Sequence, residues 1–108
     1  MDTQPFFNVE IEETQSTVTV KPSGELDLAG VPTVMAEIDK VFSGQVPIVV
    51  DLRGLTFLDS TGVRMMLTLH NGHYPAKVVF VEPGDEQVKR ILELVAVGEM
   101  FDWVEPDD

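Results

Sequence analysis

Val46-Pro47-Ile48-Val49-Val50-Asp51-Leu52 is the stretch on which the reading of this chain turns. It is almost wholly apolar and strongly β-branched, the composition of a strand buried on both faces in the middle of a parallel sheet. Val78-Val79-Phe80-Val81 is a second run of the same kind. Two parallel strands need a long crossover between them. Within the intervening segment Asp59-Ser60-Thr61-Gly62 opens a run from Val63 to about His70 that is dense in apolar residues. This predicts a short helix capped by Ser60 or Asp59.

Working outward, Phe7, Val9 and Ile11 alternate with polar neighbours, as do Val18 and Val20, with Glu13-Thr14-Gln15-Ser16 between the two runs. That pattern predicts an antiparallel hairpin with one wet face. After Lys21-Pro22-Ser23-Gly24, Glu25-Leu26-Asp27-Leu28 leads into Val31, Val34, Met35, Ile38, Val41 and Phe42, which follow helical spacing. The helix closes near Gly44, and Pro32 suits its first turn because the missing amide hydrogen would have had no intrahelical partner. A last helix follows Pro83-Gly84-Asp85, buries Val88, Ile91, Leu92 and Val95, and ends near Gly98; Phe101, Trp103 and Val104 extend as a final short strand. The fold class expected is α/β: a mixed sheet of an N-terminal antiparallel hairpin and then parallel strands, packed with helices. One domain spans residues 1–108, with an ordered core over about 5–104 and a short acidic C-terminal tail.

The formal net charge is −12, from 19 acidic and 7 basic side chains. Such a chain repels nucleic acid and anionic membrane surfaces, and its natural partner carries a basic surface. With no cysteine, disulfides, thiolate catalysis and cysteine metal sites are excluded, which suits a reducing compartment. Met1-Asp2-Thr3-Gln4 shows neither a basic stretch nor an apolar run behind it, and no segment approaches the roughly 20 apolar residues of a membrane span. The expectation is a soluble cytoplasmic protein.

Asp59-Ser60-Thr61-Gly62 carries two readings. In one, Asp59 or Ser60 caps a helix by accepting a free backbone amide, and Gly62 lets the chain turn. In the other, a hydroxyl at a helix N-terminus is presented on a rigid support, where the helix dipole and free amides tolerate a phosphate. A phosphate adds about −1.5 to −2 charge at neutral pH, enough to abolish docking without unfolding the domain. The two are compatible.

Gly24-Glu25-Leu26-Asp27, Val49-Val50-Asp51-Leu52 and Leu58-Asp59-Ser60-Thr61-Gly62, with Glu82-Pro83-Gly84 and the run to Gly98, resemble the STAS domain of bacterial anti-sigma factor antagonists over nearly the whole chain. The resemblance implies a STAS-type fold and a non-enzymatic protein acting by partner switching in transcription regulation and stress response. In that family the unphosphorylated antagonist binds an anti-sigma factor with serine kinase activity and releases the sigma factor. Phosphorylation of the serine that matches Ser60 breaks the complex, and a metal-dependent serine/threonine phosphatase restores it. The resemblance puts Asp27, Asp59, Ser60, Thr61, Gly62 and Arg64 on the docking face, with Thr61 the lesser candidate for the phosphate. It implies no cofactor and no metal. Val63-Arg64 departs from the frequent Leu-Gly of the family, so Arg64 meets the partner directly.

Other constellations are weaker. Asp27 and Asp59 can form an acid and base pair if brought together, yet no third group, glycine-rich cradle or metal-spaced cluster accompanies them. Asp51 at a strand end invites a phosphoacceptor reading, but the acidic pair and late lysine such a site needs are missing. His70 and His73 are expected at the surface, since Gly72 and Pro75 stop the helix. Of Met65 and Met66, one is expected in the core and the other on the docking face. The alternative function is a non-phosphorylated structural subunit of a lipid transporter or stress-sensing assembly, to which stand-alone domains of similar sequence also belong.

Overall fold

The computed structural model describes residues 7–41, 46–72 and 77–106. Among them are five strands, β1 (Phe7–Glu13), β2 (Val18–Leu26), β3 (Ile48–Asp51), β4 (Gly54–Leu58) and β5 (Val78–Val81). Three helices, α1 (Val31–Val41), α2 (Ser60–His70) and α3 (Glu86–Leu94), alternate with them, and a single 3-10 turn follows at Gly98–Met100. The hairpin forms where alternation predicts it: β1 pairs antiparallel with β2, Val9 opposite Pro22 and Ile11 opposite Val20. Thr14 closes its turn, the hydroxyl accepting the Ser16 and Thr17 amides at 3.1 and 3.0 Å.

β2 does not stop at Lys21-Pro22-Ser23-Gly24 but runs through it to Leu26. The register slips between Gly24 and Glu25, where Gly24 adopts a φ of 93°. Such an irregularity admits a proline and a glycine to a strand interior. Its consequence is that β2 serves two parallel partners in succession: Val18 to Val20 pair with β3, and Ser23 to Leu26 pair with β4. β4 was not expected from the sequence. Only Leu55 and Leu58 of its five residues are buried, so it shows neither an apolar run nor clean alternation. Between β3 and β4 the chain jogs at Leu52 and Arg53. The buried Asp51 carboxylate holds the jog, accepting Arg53 N at 3.1 Å, Arg53 Nε at 3.0 Å and Arg53 Nη2 at 2.7 Å. An aspartate so engaged is a structural ion pair.

The parallel register stacks the core in rows: Val18, Ile48 and Val78 in one, Val20, Val50 and Phe80 in the next. All six are buried, with Val34, Ile38, Val63, Met66, Leu69, Val88 and Leu92 of the helices in the same apolar cluster. The other face, carrying Thr19, Val49, Asp51, Val79 and Val81, borders an open groove of about 390 Å³. Burial on both faces therefore holds for β5, whose four residues are all buried, while Val49 of β3 is only half-buried.

The last third departs from expectation in three ways. α3 ends at Leu94, leaving Val95 as an exposed C-cap. The expected final strand is reduced to one bridge between Trp103 and Phe80, with Phe80 N donating to Asp102 O and Val104 N to Phe80 O. His70, expected at the surface, is half-buried with its ring edge-on to Phe101, the centroids 5.6 Å apart. Closure of the first helix near Gly44 and the exit through His73 and Pro75 fall outside the described residues.

Phe80 joins the sheet to the C-terminal segment, its ring 5.0 Å from that of Phe101 and 6.1 Å from that of Trp103. Phe80→Ala is expected to cost about 3–5 kcal/mol, read as a fall in the urea midpoint by Trp103 fluorescence, with an unchanged slope.

Candidate functional site

The site is built where β2 and β4 end side by side. Leu26 and Leu58, their last residues, are paired and fully buried. After each leucine an aspartate turns the chain. Asp27 Oδ1 accepts the Ala29 and Gly30 amides at 3.0 and 3.2 Å, and its carbonyl accepts those of Gly30 and Val31, which starts α1. Asp59 Oδ1 accepts the Thr61 and Gly62 amides at 2.9 and 3.2 Å, which starts α2 with Asp59 as its N-cap. The cap is thus Asp59, leaving Ser60 as the first helical residue.

The two loops are joined through Asp59. Its amide donates to Leu26 O at 3.3 Å, which ties the start of the second loop to the end of β2. Burial pushes the Asp59 carboxyl up, but the Thr61 hydroxyl and the amides of Gly62, Thr61 and Leu28 outweigh it and hold it below the usual range. Asp27 and Asp59 each spend their carboxylates on backbone amides; nothing in this arrangement sets up an acid and base pair. No cluster of three or more metal-ligating side chains occurs among the described residues.

The two hydroxyls of the motif differ. Thr61 is half-buried, and its Oγ1 donates to Asp59 Oδ1 at 2.5 Å. Ser60 is exposed, and its hydroxyl has no hydrogen-bond partner among the described residues. Arg64, one turn along α2, is also exposed. Gly62 has a role that local sequence does not reveal. A Cβ there would collide with Leu58 Cδ1 and lie 3.2 and 3.3 Å from Leu26 Cγ and O. A side chain here is disfavoured because the first turn of α2 rests directly on the two strand ends.

Met65 and Met66 are both buried, so the expectation that one of them is exposed for docking does not hold. α2 has a buried face broad enough for adjacent residues, with Gly62, Val63, Met65, Met66 and Leu69 all inside. The exposed apolar residue at the site is instead Leu28, 72% exposed, next to Asp27 in the loop after β2. Its signal in the sequence was an apolar side chain in the acidic turn, outside the helical stripe that begins at Val31.

A mixed sheet with a long shared strand, two aspartate-closed loops and a serine on the first turn of a helix defines an α/β domain of the SpoIIAA-like fold. The chain belongs to the STAS domain family, whose model matches residues 8–107. Among solved structures it is similar to an anti-sigma factor antagonist from Mycobacterium paratuberculosis, with 20% identity, a TM-score of 0.75, and coverage of 100% of this chain and 93% of that one. It is also similar to the anti-sigma factor antagonist SpoIIAA in its unphosphorylated form, at 25% identity and a TM-score of 0.63 over 94% of this chain and 89% of that one. The Bacillus cell fate determinant SpoIIAA in the phosphorylated form matches at 23% identity and 0.62 over 94% and 93% of the two chains. No curated protein matches the chain. No helix among the described residues is long and apolar enough to cross a membrane.

Two outcomes follow from this geometry. Gly62→Ala gains about 1 kcal/mol of helix propensity but must displace packed Leu58 and Leu26 at about 1–3 kcal/mol. A net fall in stability is expected by chemical denaturation, and a stabilised variant would contradict the close packing. Asp59→Ala is expected to cost about 0.5–2 kcal/mol at neutral pH. Because the folded pKa of Asp59 is lowered, its charged contribution is complete above the unfolded value of about 3.9 and is lost as pH falls through the folded value. The gap between wild type and Asp59→Ala should therefore narrow below about pH 4, measured by urea unfolding at a series of pH values.

Proposed function

We propose that this STAS domain is an anti-sigma factor antagonist whose switch is Ser60. In its unphosphorylated form it binds an anti-sigma factor that is also a serine kinase and so releases a sigma factor in the cytoplasm. Phosphorylation of Ser60 breaks the complex, and a serine/threonine phosphatase restores it. The observation that carries the reading is the contrast between the two hydroxyls: Ser60 is exposed and unengaged, whereas Thr61 is bound to Asp59. A kinase needs a hydroxyl that can leave the surface and enter its active site, and only Ser60 is released for that.

The docking face comprises Asp27, Leu28, Asp59, Ser60, Thr61 and Arg64, while Gly62, expected there from the sequence, is buried and supports the face from beneath. Leu28, 72% exposed beside Asp27, supplies an apolar contact that a partner would remove from water. The acidity of the chain favours a basic partner surface. The domain acts by binding and as a kinase substrate, with no catalytic residue of its own.

The test is intact mass and site mapping after incubation with ATP and the anti-sigma kinases of the source organism. One added phosphate on wild type, absent from Ser60→Ala, is expected. Ser60→Asp should weaken partner binding about tenfold or more, roughly 1.4 kcal/mol, while Ser60→Ala binds and resists release. Tight binding without phosphate transfer from any of these kinases would replace the switch with a constitutive antagonist or a structural subunit.

A further inference from the structure

Five of the seven basic side chains of this acidic chain lie within 4.0 Å of a carboxylate. They are Lys21 with Glu12, Lys40 with Glu37, Arg53 with Asp51, Lys77 with Asp102 and Lys89 with Glu86. Arg64 forms no ion pair and no hydrogen bond among the described residues, although the chain carries 19 acidic groups. It stands on α2 four residues after Ser60, and both side chains are exposed. Residues at this spacing share one helix face with Cβ atoms about 5–6 Å apart. The Cα–Cβ bonds of a helix tilt toward its N-terminus, so Arg64 leans toward Ser60.

A phosphate on Ser60 gains from such a neighbour because the backbone supplies little beyond the amide of Ser60 itself. The amides of Thr61 and Gly62, which would otherwise face an anion at this helix end, are both held by the Asp59 carboxylate. Asp59 also contributes a negative charge, and Asp27 stands in the loop stitched to it. An added phosphate is thus repelled on the side of the loops and has its cation on the side of the helix.

We propose that Arg64 is a phosphate clamp in cis, its guanidinium binding the phosphate carried by Ser60. The clamp deepens the switch reading and rests on it. It forms charge-assisted bonds of the planar, two-point kind that arginine makes with phosphate. It orders the phosphoserine against α2 and away from Asp59. It also withdraws Arg64 from the partner, so one modification changes two groups of the docking face: Ser60 gains charge and the charge of Arg64 is compensated within the pair.

The test needs no kinase. Phosphoserine is incorporated at position 60 during translation of the full chain, in wild type, Arg64→Gln and Arg64→Lys, and the second ionisation of the phosphate is followed by phosphorus NMR. That ionisation ordinarily lies near about pH 6. The cation favours the dianion while Asp59 and Asp27 oppose it, so wild type is expected to titrate about half a pH unit or more below Arg64→Gln. The gap should shrink in about 1 M salt, and Arg64→Lys should fall between the two. Equal values in wild type and Arg64→Gln would overturn the clamp. Because the phosphoserine is built in, this result is independent of whether any kinase acts on Ser60. A failed transfer in the mass experiment strikes the switch reading and leaves the titration standing.

Discussion

The carboxylate of Asp59 is the constraint on which the site depends. It follows the last residue of β4, caps α2 and binds the Thr61 hydroxyl, while the amide of the same residue donates to Leu26 O at the end of β2. One residue thereby joins two strand ends to the start of α2. The buried leucines beneath it and the absence of a Cβ on Gly62 let the first turn of α2 sit flush on the sheet. Ser60 is consequently presented on a rigid platform. Under the proposed switch, a site fixed in this way loses little conformational entropy on docking, and a phosphate changes its charge without rearranging the domain.

The sheet beneath has two unlike faces. One carries stacked rows of valine, isoleucine and phenylalanine under the helices; the other borders an open groove. β2 joins the sheet together because it pairs with β1 on one edge and with both β3 and β4 on the other. The slip at Gly24 and the Asp51 and Arg53 jog are the two local devices that let β4 follow β3 along the same strand. Without β4 the motif Asp59-Ser60-Thr61-Gly62 would have no fixed starting point.

Much of this was legible in the residues. The hairpin, the buried runs of β3 and β5 and the amphipathic α1 follow from period and composition, and each keeps its type in the fold. The family was legible as well, because its short motifs stand at both loops that build the site. β4 was hidden because a five-residue strand with two buried side chains has too weak a pattern to read. The placement of Met65 and Met66 was misread because a helix lying on a sheet buries a broader face than a narrow stripe. Val95 was expected inside because its spacing continues α3, yet α3 ends one residue before it.

The sequence by itself determined the α/β alternation, the acidic surface, the lack of thiol chemistry and the candidate motif, since these depend on composition and on periods of two and 3.6 residues. Only the tertiary structure decided which hydroxyl is engaged and which is exposed, why position 62 favours glycine, and that the Leu28 and Arg64 side chains stand exposed at the site. These properties arise where two loops distant in sequence meet, Asp27 on one and Asp59 on the other. No local pattern records that meeting, because it is set by the parallel register of β2 with β4.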